Sequence, residues 1–247
     1  MKDRSPQEIT DLKKQTRSAL KARLSALEFD REKTAAALYK NLCEIDAFTR
    51  AKVVGIYVDF KKEAPTRPFL HALFDWADAV AVPYCVGNEM RFYRLQTPAP
   101  DPVSGRPRFD DLAEAPPFGI LEPLPELRDD PKSFIAPETV DVLVTPGLGF
   151  DAAGRRLGRG AGYYDRYVPQ LRSDAVLIGL CLDEQMLDAI PVDERDAKVD
   201  AVVTPTRVIV ANPEKLRIQF VSSAVGKADA VPAFGGEKHS RRTHKNK

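Results

Sequence analysis

From residue 52 onward, short runs rich in Val, Ile and Leu alternate with segments of helical periodicity, and this alternation is what most restricts the fold. Residues 52–58 (KVVGIYV), 79–86, 140–145, 176–182 and 201–210 read as strands, and residues 91–95 as a shorter one. Their apolar side chains are continuous rather than alternating, so both faces of the sheet must be covered. Helical patterns fill the intervals, as at residues 68–77. Strand, helix, strand in succession requires crossover connections and a mostly parallel sheet. The expectation is an α/β fold of three layers, α/β/α, with a Rossmann-like central sheet.

Before the first strand, Ser5-Pro6-Gln7-Glu8 combines an N-cap, a proline at the first helical position and a capping-box glutamate. Ile9, Leu12, Leu20, Leu24 and Leu27 continue at helical spacing, with Lys13, Arg17 and Lys21 in an i, i+4 stripe along one edge. A second helix is expected over residues 31–48. Ten of the 20 prolines lie between Pro98 and Pro137, which predicts a largely extended, irregular stretch. Its Phe109, Phe118, Ile120 and Leu121 predict that it drapes over the core.

Composition narrows the chemistry. Of three histidines only His71 lies in the body of the chain, and it falls in an amphipathic helical pattern that predicts a partly buried structural role. A Ser-His-Asp triad or a multi-histidine metal site therefore has no raw material. Cys43, Cys85 and Cys181 are odd in number and widely spaced, which excludes a disulfide framework or a CxxC zinc site and predicts buried structural thiols. No run is long enough to span a membrane and the N-terminus has no apolar secretory segment, so a cytoplasmic protein is expected. The formal net charge of +1 hides a split: residues 227–247 carry six Lys/Arg against two Asp/Glu, leaving the preceding 226 residues at −3. One catalytic domain over residues 1–222 and a disordered basic tail over 223–247 are expected.

Six of the 14 glycines fall within residues 147–162, in VLVTPGLGFDAAGRRLGRGAGYYDRYV. The segment leaves a strand at Thr145 and is expected to enter a helix near Gly162, with Arg155, Arg156 and Arg159 in the same loop. Free backbone N–H groups beside arginines suit an anion such as phosphate. The string is neither a Walker A loop, since no Lys-Ser/Thr follows, nor GxGxxG, since Gly158, Gly160 and Gly162 repeat every second residue. On spacing alone, a tight structural turn stays open as an alternative.

The whole string resembles the signature of the 5-formyltetrahydrofolate cyclo-ligase family, PG-x-x-FD-x-x-G-x-RLG-x-G-x-GYYDR. Lys13 and Arg17 match the Lys-x-x-x-Arg of that family's first helix, and Glu63 and Thr66 its E-x-x-T element. RFYR at Arg91, GILEP at Gly119 and QMLDAIPVDERDAKVDAVVT near the end follow in the expected order, so matching landmarks run from about residue 9 to 205. Two positions depart: Ala161 stands where some members carry Lys, and Gly149 where Ala is usual.

The resemblance implies a topology like that of sugar-phosphate isomerases and CoA-transferases, and an activity that uses ATP and Mg²⁺ to convert 5-formyltetrahydrofolate to 5,10-methenyltetrahydrofolate. It implies ATP contacts from Lys13, Arg17, Arg156, Leu157, Gly158, Arg159, Gly160, Ala161, Gly162, Tyr163 and Tyr164. Substrate contacts would come from Val58, Glu63, Arg159, Gly160, Ala161, Gly162 and Tyr163, with Arg159 and Tyr163 acting at the reacting atoms. Asp165 and Asp196 fall on the family's metal-binding carboxylates. Small-molecule partners are implied, ATP and 5-formyltetrahydrofolate with or without a polyglutamyl chain, with a monomer and no membrane expected, and nucleic-acid contact left open only for the tail. Two rivals are a non-catalytic binding paralogue and a sugar-phosphate isomerase or CoA-transferase-like enzyme; the latter needs a base or carboxylate elsewhere, and fold kinship does not carry function.

Overall fold

Alternate residues of the apolar runs face opposite sides, and each side meets its own helices. The computed structural model describes residues 5–117 and 119–216. The N-terminal signal forms as expected. Ser5 caps helix α1 (Pro6–Ser25) in a reciprocal capping box with Glu8. Helix α2 (Arg31–Leu42) follows, capped by Asp30. The helix expected over residues 31–48 is broken: Ile45 turns into extended backbone and is wholly buried, and a short α3 (Asp46–Thr49) resumes beyond it.

Strand β1 (Val53–Ile56) leads to α4 (Arg67–Leu70), which tightens into a 3₁₀ turn, His71–Asp75, leaving His71 half-buried as expected. Strands β2 (Ala79–Val86) and β3 (Glu89–Arg94) form a hairpin. The proline-rich stretch is more ordered than its composition suggests. It holds two small hairpins, β4 (Ala99–Pro100) with β5 (Pro107–Arg108) and β6 (Leu112–Ala115) with β7 (Ile120–Pro123). Helix α5 (Pro125–Asp129) and strand β8 (Phe134–Ile135) complete it. Phe109 and Leu121 pack on the core, as expected of a draped segment; Phe118 lies outside the described residues.

The second half supplies β9 (Val142–Thr145), the two-residue strands β10 (Gly149–Phe150) and β11 (Arg156–Leu157), α6 (Tyr163–Tyr167) and β12 (Val176–Leu180). The single strand expected over residues 201–210 is instead a hairpin, β13 (Ala201–Val203) and β14 (Val208–Val210). Pro205 cannot donate to a ladder, and Thr204 Oγ1 accepts the N–H groups of Thr206 and Arg207 to close the turn.

Eight strands form one sheet in the order β14-β13-β12-β9-β1-β2-β3-β8. The central five, β13 to β2, are parallel; β14 and β3 run against them at the two sides, and β8 pairs antiparallel with β3 at the outer edge. On one face Val54, Ile56, Val80, Val142, Val144 and Ile178 pack with Leu20 and Leu24 of α1 and Leu38 and Leu42 of α2. On the other, Leu143, Ala81 and Phe92 meet Tyr167 of α6, while Phe150, Leu177 and Val202 pack beside Leu171. The mostly parallel three-layer α/β/α architecture is the one expected. The disordered tail expected over residues 223–247 lies outside the described residues.

Candidate active site

Chain order reverses between β1 and β9: β1 continues outward to β2, β9 outward to β12. A crevice must open beyond the C-terminal ends of two such strands, and α/β sheets bind ligands there. Val58 follows β1 into that crevice, and Pro146 and Gly147 follow β9; all three line one cleft of about 1230 Å³. Every residue assigned to the site from the sequence lines this cleft.

The glycine-rich loop is built before it is functional. Asp151, fully buried, accepts the backbone N–H groups of Ala153, Arg155 and Ile190 and the Nε of Arg155 at 2.6–3.1 Å. This folds β10 onto β11 and delivers Arg156 to the cleft. From Gly158 the chain takes conformations closed to most residues. Gly160 has φ +112°, and Gly162, at φ +71°, caps α6. Helix α6 begins where expected but has only five residues, so the groups available to an anion here are the loop N–H groups and nearby cations.

Those cations come from two directions. Lys13 is not part of a solvated stripe; it is buried, with Nζ 2.8 Å from Asp193 and in a short contact with Asp196. Lys13, followed by the Arg195 N–H, holds the Asp193 carboxyl well below the usual carboxylate range. One turn on, Arg17 Nε donates to the Gly158 carbonyl at 2.9 Å, tying α1 to the loop. From within the loop, Arg156 donates to Asp165 at 2.7 Å while its guanidinium lies over the Tyr164 ring.

Arg159 reaches the opposite wall, where its Nε and NH2 donate to Glu63 Oε1 at 3.0 and 2.8 Å. Glu63 Oε2 accepts the Phe60 N–H at 3.0 Å. Burial pushes the Glu63 carboxyl above its ordinary value, against the pull of Arg159. Tyr163 donates its hydroxyl to the Gly87 carbonyl at 3.0 Å, pinning α6 to the β2–β3 turn. Behind these groups Pro83, Met90, Ile120 and Leu121 give the cleft an apolar wall.

The Ala197 N–H donates weakly to Asp165 Oδ1, at 3.4 Å, which sets the segment bearing Asp196 against Asp165. Among the described residues no group of three or more His, Cys, Asp or Glu could hold a metal. Two carboxylates beside a cluster of cations could nevertheless suit Mg²⁺ if a phosphate ligand were bound, since Mg²⁺ keeps waters and takes one or two carboxylates plus phosphate oxygens.

Sequence reasoning missed Asp193 and Asp151. Asp193 makes a local turn contact with the Arg195 N–H, but nothing local marks its pairing with Lys13, 180 residues away. Asp151, in FDAAG, has the spacing of an Asx turn and was legible. The thiols also need correction. Cys181 is buried and Cys43 half-buried, but Cys85 is exposed, because β2 runs past the sheet into the hairpin turn.

Fold and cleft define an α/β protein in which a glycine-rich loop carrying arginines faces a half-buried carboxylate, Glu63, at the switch point. Residues 9–205 match the model of the 5-formyltetrahydrofolate cyclo-ligase family. The chain is 32% identical over 187 residues, 70% of its length and 84% of the relative's, to the probable 5-formyltetrahydrofolate cyclo-ligase of Schizosaccharomyces pombe. It is 28% identical over 202 residues to the 5-formyltetrahydrofolate cyclo-ligase of Mus musculus, covering 79% of this chain and 94% of that one. The NMR structure of Aquifex aeolicus 5,10-methenyltetrahydrofolate synthetase aligns with TM-score 0.62 and 25% identity over 86% of this chain and 100% of the other. The chain belongs to the 5-formyltetrahydrofolate cyclo-ligase family, a family of ligases. No helix among the described residues is long and apolar enough to cross a membrane.

Proposed function

We propose that this enzyme converts 5-formyltetrahydrofolate and ATP to 5,10-methenyltetrahydrofolate, ADP and phosphate, with Mg²⁺. The observation that carries the reading is a single cleft of about 1230 Å³ with Lys13, Arg17 and Arg156 on one wall and half-buried Glu63 on the other. That exceeds the roughly 300–1,000 Å³ of a typical one-ligand pocket, so two co-substrates can lie side by side.

Lys13, Arg17, Arg156 and the N–H groups of residues 158–162 would hold the triphosphate. Glu63 would accept hydrogen bonds from the pterin amino and ring N–H groups, with Val58 beside it. Arg159, already bonded to Glu63, stands where the two ligands meet and would neutralise charge on the transferring phosphoryl group. The formyl oxygen attacks the γ-phosphorus and ADP leaves. N10 then attacks the activated formyl carbon, and the C–O bond breaks to release phosphate with that oxygen. The nucleophiles belong to the substrates, so the protein needs neither a histidine nor a covalent intermediate; its task is positioning and charge neutralisation. Asp165 and Asp196 would hold Mg²⁺, which supplies charge neutralisation on the phosphates when bound.

The test follows methenyl-folate absorbance with purified enzyme, 5-formyltetrahydrofolate and MgATP. ATP-dependent product supports the reading; no product, or equal product without ATP, refutes it. Asp165→Asn should depress turnover with the fold intact, and a wild-type rate would remove Asp165 from the metal site.

A further inference from the structure

Glu63 sits in a turn that is costly to form, and the groups stabilising it lie outside the cleft. Lys61, two residues earlier, has φ +54°, and among the described residues no other non-glycine has positive φ. A side chain at such φ is disfavoured, and turns of this kind persist only where surrounding contacts over-determine them. Here the contacts are explicit. Arg31, at the first position of α2, donates NH1 to the Lys61 carbonyl at 2.9 Å and pairs NH2 with Asp59 in a short contact. The Asp59 carboxylate is completely buried, and its Oδ1 accepts the Thr66 and Arg67 N–H groups at 2.8 and 2.7 Å. Thr66 Oγ1 accepts the Asp59 N–H and donates to the Tyr57 carbonyl. One carboxylate thus closes both ends of the 59–67 loop, and one guanidinium fork ties that carboxylate to the strained carbonyl.

We propose that Arg31, acting with Asp59, is a positioning residue for folate binding: it holds the loop in the conformation that presents Val58 and Glu63 to the substrate. Neither Arg31 nor Asp59 is among the residues lining the cleft. The fork matters because its two nitrogens meet the Lys61 carbonyl and the Asp59 carboxylate in one fixed plane, a geometry that a lysine's flexible point charge does not impose. The inference rests on Glu63 as the folate contact.

Two measurements on Arg31→Ala and Arg31→Lys test it. In unliganded protein, amide exchange at Phe60, Thr66 and Arg67 should accelerate by about tenfold or more in Arg31→Ala, as expected when a charge-assisted bond is lost. In steady state the KM for 5-formyltetrahydrofolate should rise about tenfold, with the KM for ATP unchanged and kcat nearly so. Arg31→Lys should fall between wild type and Arg31→Ala. Adding Lys61→Gly, which takes positive φ freely, should recover part of the exchange protection. Unchanged exchange overturns the clamp whatever the substrate. Accelerated exchange with an unmoved KM for the folate, or a parallel loss in both KM values and kcat, overturns the positioning role. A wild-type enzyme that does not turn over 5-formyltetrahydrofolate refutes the proposed function instead, and the exchange data still judge the clamp.

Discussion

Replacing Lys13 separates what the buried ammonium does for the fold from the nucleotide contact proposed for it. Its side chain is 9% exposed and neutralises Asp193 and Asp196, themselves 26% and 17% exposed. Lys13→Met keeps the packing volume and leaves two carboxylates facing each other with only the exposed Arg195, 3.4 Å from Asp193, as countercharge. Breaking a fully buried pair costs roughly 3–5 kcal/mol. Water reaches these carboxylates, so about 1–2 kcal/mol is the expected destabilisation, a Tm lower by about 3–6 °C in a chain of this size. Adding Asp193→Asn removes one of the two like charges and should recover part of that loss. Activity should behave differently. Losing one charge-assisted bond to a phosphate costs about 1.5–3 kcal/mol, a fall of roughly 10- to 100-fold in kcat/KM for ATP. Asp193→Asn should not restore it. Millimolar Mg²⁺ without nucleotide should raise the Tm of Lys13→Met more than that of wild type, because the ion supplies the missing countercharge. Thermal denaturation and the absorbance assay read both quantities. A double variant less stable than Lys13→Met, or one that regains ATP affinity, would refute the reasoning.

Gly162→Ala places a Cβ at φ +71° and 2.8 Å from Arg166 NH1, costing about 1 kcal/mol. Its Tm should fall by a few degrees with a loss of turnover, and unchanged values for both would show that the loop tolerates a side chain there. Glu63 binds its proton to a higher pH in the folded protein than in the unfolded chain, so its contribution to stability falls as pH rises from its ordinary value of 4.5 toward the raised one. As pH drops through the raised value the carboxylate that accepts from Arg159 is lost and the KM for the folate should rise. Glu63→Gln should flatten that acidic limb of the profile, and an unaltered limb would assign the titration to another group. Deleting residues 227–247 should leave turnover unchanged, and a large loss would make the tail part of the catalytic unit.

Legibility followed the range of the interactions. The capping box at Ser5, the strand at 79–86 and the helix entry at Gly162 depend on a few neighbouring residues and could be read directly. The break of the second helix at Ile45 could not, because a fully buried isoleucine pulled into extended backbone answers to the core rather than to local propensity. Pro205 did signal the β13–β14 turn, but the apolar run on both sides concealed it. In the site, the glycine and arginine pattern pointed to an anion. The nucleotide, the folate and the metal came from resemblance alone. Partners at long separation, such as Asp193 for Lys13 or Asp59 for Arg31, leave no periodic or compositional trace.

The order of strands has a consequence for how this enzyme comes into being. The sheet divides into two chain-contiguous halves, β1 to β8 on one side and β9 to β14 on the other, and the cleft lies along their seam. Helix α1 is synthesised ahead of both but packs across to the later half: Lys13 meets Asp193, Arg17 meets the Gly158 carbonyl, and Arg23 donates to the Glu184 carbonyl at 2.9 Å. The first cleft-lining segment to be synthesised therefore meets nearly the last. Closing a contact 180 residues apart is entropically the latest event available to such a chain. Catalytic competence is then a report on completed folding, and a ligand spanning the seam acts as a stitch between the halves, stabilising the native chain in proportion to its concentration over its Kd.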